Sequence, residues 1–85
     1  MQPKIERRKM TECEWIEIFS NNLTEIIAES GYSQNEVSKM TGIPQPVLSR
    51  YVNGRVIPSV VNIIKLSYAL NCDIHELIDF GDIVE

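Results

Sequence analysis

The chain is divided at short intervals by residues that start helices and residues that stop them, and this punctuation restricts the fold more than any other feature. Thr11 with Glu14 and Ser33 with Glu36 are capping boxes, in which a hydroxyl accepts an amide proton and a carboxylate returns to the amide of the cap residue. Ser59, after Pro58, and the similar pair Asp73 and Glu76 supply two further starts. Gly31, Gly42, Asn53-Gly54 and Asn71 stand where helices so opened should end, because these residue types accept a left-handed backbone at low cost. Between the marks, apolar residues recur at helical spacing. Trp15, Ile16, Ile18, Phe19, Leu23, Ile26 and Ile27 form the first set, and Val47, Leu48 and Tyr51 share one face of the third. Val60, Ile63, Ile64, Leu66, Ala69 and Leu70 fill a fourth segment, and Ile74, Leu77 and Ile78 a short fifth. No run alternates with period two, so the pattern predicts an all-α chain, a compact five-helix bundle with short connections. The bundle is expected over residues 11–80, between a flexible basic tail at 1–10 and a short C-terminal tail at 81–85.

At 85 residues and 44% hydrophobic, the chain has the material for one small core and no more. No apolar run approaches the roughly 18 to 20 residues that cross a bilayer. The segment MQPKIERRKM carries charge with no apolar stretch behind it, so the expectation is a soluble, cytoplasmic protein without a membrane partner. Cys13, Cys72 and His75 lack metal-ligand spacing; two buried, reduced thiols are expected, with no metal and no cofactor. The sequence offers no nucleophile set of the Ser/His/acid or Cys/His kind and no glycine-rich phosphate loop, so no enzyme is expected. A core this small is not expected to leave a small-molecule pocket.

The net charge is −4, which by itself disfavours a nucleic-acid partner, but the charges are unevenly placed. Lys4, Arg7, Arg8 and Lys9 make the first residues basic, and Lys39, Arg50 and Arg55 outweigh Glu36 across the middle. The first helix carries Glu12, Glu14, Glu17, Glu25 and Glu29 with no base, and the C-terminal segment is also acidic. Positive charge confined to a tail and one central stretch suits a chain with one anion-binding face.

That central stretch contains GIPQPVLSRYVNG, residues 42–54, with two prolines at the front of a helical pattern. With Pro44 at the cap and Pro46 in the first turn, neither removes a helical hydrogen bond, since the first amides of a helix have no partner within it. The helices before and after Gly42 are short and separated by about three residues, the arrangement of a helix-turn-helix.

SQNEVSKMTGIPQPVLSRYVNG resembles the motif of the lambda-repressor-like family, which includes phage repressors, Cro proteins and many small bacterial regulators of the XRE type. PSVVNIIKLSYALNCDIHELI resembles that family's fourth and fifth helices, so the likeness runs from Trp15 to Ile78, about three quarters of the chain. Val37, Ile43, Leu48 and Tyr51 fall where the two motif helices pack, and Ser38 stands where the family usually has alanine. The resemblance implies a DNA-binding transcriptional regulator, expected to be a repressor, with the third helix, about residues 45–52, in the major groove of a palindromic operator. Its variants are an antitoxin that represses its own operon and a switch protein of a phage or mobile element. The competing reading is a protein-interaction module of the same fold that does not read DNA, such as an antirepressor. The expected partners are therefore double-stranded DNA and a second copy, with a toxin or antirepressor as a further possibility.

Gln45, Pro46, Ser49 and Arg50 lie on the side of the third helix away from Leu48 and Tyr51, and these are the candidate base readers. A glutamine can pair with adenine N6 and N7, and an arginine can fork onto guanine O6 and N7. By resemblance, Gln34 braces the Gln45 side chain and touches a phosphate, and Lys39, Asn53 and Arg55 contact the backbone of the duplex. Val52, Val61 and Tyr68 are apolar where relatives tend to be polar, and Val56 and Ile57 follow Arg55 where further basic residues are frequent. Surplus apolar surface of this kind marks these five residues as a candidate dimer seam. The basic N-terminal tail is open to two readings, an arm that wraps the duplex or a solubilising end.

Overall fold

The computed structural model describes residues 9–78. The tails expected at 1–10 and 81–85 therefore fall, save for Lys9 and Met10, outside the described residues. Five helices follow in order: α1 (Glu12–Ser30), α2 (Gln34–Thr41), α3 (Gln45–Val52), α4 (Val60–Ala69) and α5 (Ile74–Ile78), with no strand among the described residues. Each boundary has a local cause. Thr11 Oγ1 accepts the Glu14 amide at 3.3 Å while the Thr11 amide donates to Glu14 Oε1 at 3.2 Å. Ser33 and Glu36 repeat the exchange, both bonds at 3.1 Å. Ser59 Oγ caps α4 by accepting the Asn62 amide, and at α5 only the returning half of the box is made, from the Asp73 amide to Glu76 Oε2. α1 ends at Gly31 and α2 at Gly42, with φ of +80° and +77°, which a side chain would resist. Asn71, at φ 52°, turns the chain after α4.

α1 lies along α3 and α5, α2 packs on α3 and α4, and α4 closes on α5. The core is drawn from every helix: Phe19, Leu23 and Ile27, then Val37, Ile43, Leu48 and Tyr51, then Leu66, Leu70 and Leu77. Leu23, Leu48, Leu66 and Leu77 are wholly buried. Burial of each contributes about 1.5–3 kcal/mol relative to exposure. All buried polar side-chain atoms among the described residues have a hydrogen-bond partner.

Several expected core positions lie elsewhere. Ile63, Leu66 and Leu70 turn α4 toward the other helices, so Val60 and Ile64, with Val61 and Tyr68, face outward. The apolar residues of α4 surround it, and spacing alone does not distinguish the side that meets α2 and α5. Trp15, Ile74 and Ile78 are also partly exposed. Cys13, expected inside, sits on the open side of the first turn of α1. Cys72 is half-buried, and burial, with Glu76 and Asp73 nearby, pushes its thiol above the usual range.

An apolar cleft of about 160 Å³ runs between the front of α1, at Trp15 and Phe19, and Pro58 and Ile78. Its walls bring no set of polar groups together that would orient a ligand. No described helix is long and apolar enough to cross a membrane.

Leu23→Ala should lower stability by about 2–5 kcal/mol. Ile64→Ala, at half-exposed Ile64, should change it by no more than about 0.5 kcal/mol. Urea denaturation of the two variants checks the contrast, which equal losses would contradict.

Candidate nucleic-acid interface

The connection between α2 and α3 is held by short side-chain bonds. Ser38 Oγ donates to the Ile43 carbonyl at 2.6 Å, across the turn from α2. Thr41 Oγ1 donates to the Val37 carbonyl at 2.8 Å and accepts the Ile43 amide at 3.1 Å, while the Gly42 amide returns to the Ser38 carbonyl at 2.8 Å. Ser38 thus does more than fit where helices cross closely. Its hydroxyl ties the turn, a role its size alone does not reveal.

Pro44 is the N-cap of α3, with φ −56°, and makes no side-chain cap bond. Its carbonyl accepts the amides of Val47 and Leu48, each at 3.0 Å, so the helix starts without an amide from either proline. Of the first two helical positions, Gln45 alone keeps an N–H that can face an anion, because Pro46 has none.

The inner side of α3 is fixed on two flanks. The Tyr51 ring meets Phe19 of α1 edge-on, with centroids 6.1 Å apart and planes at 84°. Its hydroxyl accepts a hydrogen bond from Asn62 Nδ2 of α4 at 2.7 Å. Ser20 Oγ of α1 donates to the Val52 carbonyl, and at the end of α3 the Arg55 amide folds back to the Arg50 carbonyl at 2.8 Å around left-handed Gly54. No sequence motif singles out Ser20 or Asn62. Their contribution is positional, through bonds between residues distant in sequence.

On the outer side, Gln45, Pro46 and Arg50 are exposed and Ser49 is half-buried. Gln45 Nε2 donates to Gln34 Oε1 at 3.3 Å, which joins the fronts of α2 and α3 through their side chains. Lys39, in the last turn of α2, is exposed, as are Asn53 and Arg55 beyond α3. The Asn53 side chain folds back onto Ser49. Of the five candidate seam residues, Ile57, Val61 and Tyr68 are exposed, Tyr68 at 89%. Val52 and Val56 are half-buried and pack against the molecule's own core. The described residues hold no cluster of His, Cys, Asp and Glu suited to a metal ion.

A short helix held by its inner face on a compact helical body, with glutamine, serine and arginine side chains presented outward, defines a helix-turn-helix DNA-binding domain. A helix-turn-helix family model (HTH_3) matches residues 23–77, and the chain belongs to this XRE, lambda-repressor-like family. It is accordingly a DNA-binding transcription regulator. Among solved structures, the restriction-modification controller protein C.AhdI from Aeromonas hydrophila is similar, with a TM-score of 0.70 and 29% identity over 73% of this chain and 94% of that one. The hypothetical transcription factor NHTF from Neisseria shares the fold, with a TM-score of 0.72 and 19% identity over 91% of this chain and 88% of the other. No curated protein sequence gave a significant match.

Proposed function

We propose that the protein is a repressor that binds a palindromic operator as a homodimer, with α3 of each copy in the major groove. The observation that carries this reading is the Gln34–Gln45 hydrogen bond on the exposed front of the motif. With one Nε2 proton donated to Gln34, Gln45 retains a second proton and its carbonyl oxygen, the pair that meets adenine N7 and N6. Arg50, five residues further along α3 and exposed, has the donors for guanine O6 and N7. Gln34, Lys39 and Arg55 flank this surface and serve the phosphates, and Pro46 offers only apolar contact, as to a thymine methyl. The prolines hold the front of α3 in shape before it binds, which reduces the entropy lost in the groove.

One domain of this size makes few base contacts, and pairing two half-sites raises affinity and specificity together. Ile57, Val61 and Tyr68, joined by Val60 and Ile64, give an exposed apolar surface for that pairing. The likeness to C.AhdI favours, as a more specific role, control of a restriction-modification system over that of an antitoxin. Genes for a restriction enzyme and a DNA methyltransferase beside this one would support that role, and their absence would remove it.

Replacement of Arg50 by alanine should relax preference at one base pair by about 1–3 kcal/mol, whereas Lys39→Ala should weaken all duplexes about equally and reduce the salt dependence. Fluorescence anisotropy with duplexes differing at single base pairs, at two salt concentrations, separates the outcomes. Equal loss on every duplex from the Arg50 change would make it a phosphate contact, and binding absent even at low salt would favour a protein-interaction role. Val61→Lys with Tyr68→Lys should yield a monomer in analytical ultracentrifugation; an unchanged dimer mass would exclude this face.

A further inference from the structure

We propose that the apolar cleft between α1 and Ile78 receives the Tyr68 ring of a second copy, so that the dimer is closed by two reciprocal insertions along an antiparallel pair of α4 helices. This rests on the pairing proposed above, and it names what fills the cleft and the register in which the copies meet.

The size of the cleft decides what can enter it. At about 160 Å³ it is well below the roughly 300–1,000 Å³ of pockets that hold whole small-molecule ligands. It matches a cavity of roughly 150 Å³, which takes up a single benzene ring. Its walls, Trp15, Phe19, Ile57, Pro58, Ile63 and Ile78 among them, are apolar, so the occupant it favours is one aromatic or aliphatic side chain. Tyr68 is the most exposed of the large apolar side chains among the described residues, with nearly all of its surface open to water in a single copy. A ring in that position gains from burial against another apolar surface.

The spacing of the exposed face supplies the register. Ile57, Val61, Ile64 and Tyr68 are all exposed, and the last three follow one another along α4 at intervals of three and four residues, on one side of the helix. A two-fold interface is self-complementary: where one residue meets a second, the second meets the first. With the axis between Val61 and Ile64, each packs on the other in the partner. Tyr68, four residues beyond Ile64, then reaches the partner's Ile57, four residues before Val61. Ile57 is both the far end of the exposed face and a wall of the cleft. The ring therefore arrives at the cleft mouth in both copies at once. A parallel pairing would set the two Tyr68 rings against each other and leave both clefts empty.

Trp15 is the only tryptophan of the chain, lines the cleft and is partly exposed, so its emission reports whether the cleft is filled. In the unaltered protein, dilution from dimer to monomer, followed in parallel by sedimentation, should move that emission to longer wavelength as water enters. Tyr68→Ala should weaken pairing about tenfold or more, as loss of a buried aromatic anchor does, and should emit at the longer wavelength where the unaltered protein emits at the shorter. Addition of Trp15→Phe protein, itself without tryptophan, should restore the shorter wavelength to Tyr68→Ala, because its Tyr68 enters the cleft of the other copy. The double variant, Trp15→Phe with Tyr68→Ala, should not restore it. Thermal melting of each variant guards against a loss of fold.

A dimer whose Trp15 emission is unchanged on dilution, or that forms as readily with Tyr68→Ala, would overturn the insertion alone, as would equal restoration by the double variant. An unaltered protein that stays monomeric at every concentration, with and without duplex DNA, would overturn the homodimer on which it rests.

Discussion

The orientation of α3 depends on Tyr51 more than on any other side chain. Its ring is buried against Phe19 and its hydroxyl is reached by Asn62, so one residue fixes the helix to α1 on one flank and to α4 on the other. A buried tyrosine hydroxyl without a partner would be costly, and the bond from Asn62 removes that cost while adding direction. Leu48, wholly buried one turn earlier, supplies apolar burial without comparable direction. The open side of α3 is thus set by what its closed side holds.

The turn before α3 works to the same end by different means. Ser38 and Thr41 bond to the backbone around Ile43, and left-handed Gly42 reverses the chain in little space. The prolines then restrict the entry to α3, where rigidity costs no helical hydrogen bond. Rigid body, tied turn and pre-set helix front together favour a site shaped before its partner arrives.

Much of this architecture was legible in the sequence because helix boundaries are local events. Thr11, Ser33, Gly31 and Gly42 act within a few residues of themselves, and their chemistry leads directly to α1 and α2. Val37, Ile43, Leu48 and Tyr51 were also legible as packing positions, since motif and periodicity agree there. What was not legible depends on distant partners. Val60 and Ile64 lie on an outward face because α2 and α5 take the other side of α4, and nothing in their own segment says so. Cys13 is exposed for a similar reason: low polarity describes a residue, and burial describes its neighbours. Ser20 and Asn62 act on atoms 32 and 11 residues away, and the Asn53 side chain turns inward onto its own helix.

Charge follows the same division of surfaces. Lys39, Arg50 and Arg55 are exposed around the motif of a chain whose net charge is −4, and the acidic residues of α1 lie on another element. Repulsion between those acids and a duplex would favour docking through the motif over other orientations. Selection of bound sequences from a pool of random duplex DNA tests the central claim most directly, that the open side of α3 reads base sequence. The account predicts a palindromic consensus whose half-sites are about one helical turn apart. A bound pool with no enriched sequence would contradict it.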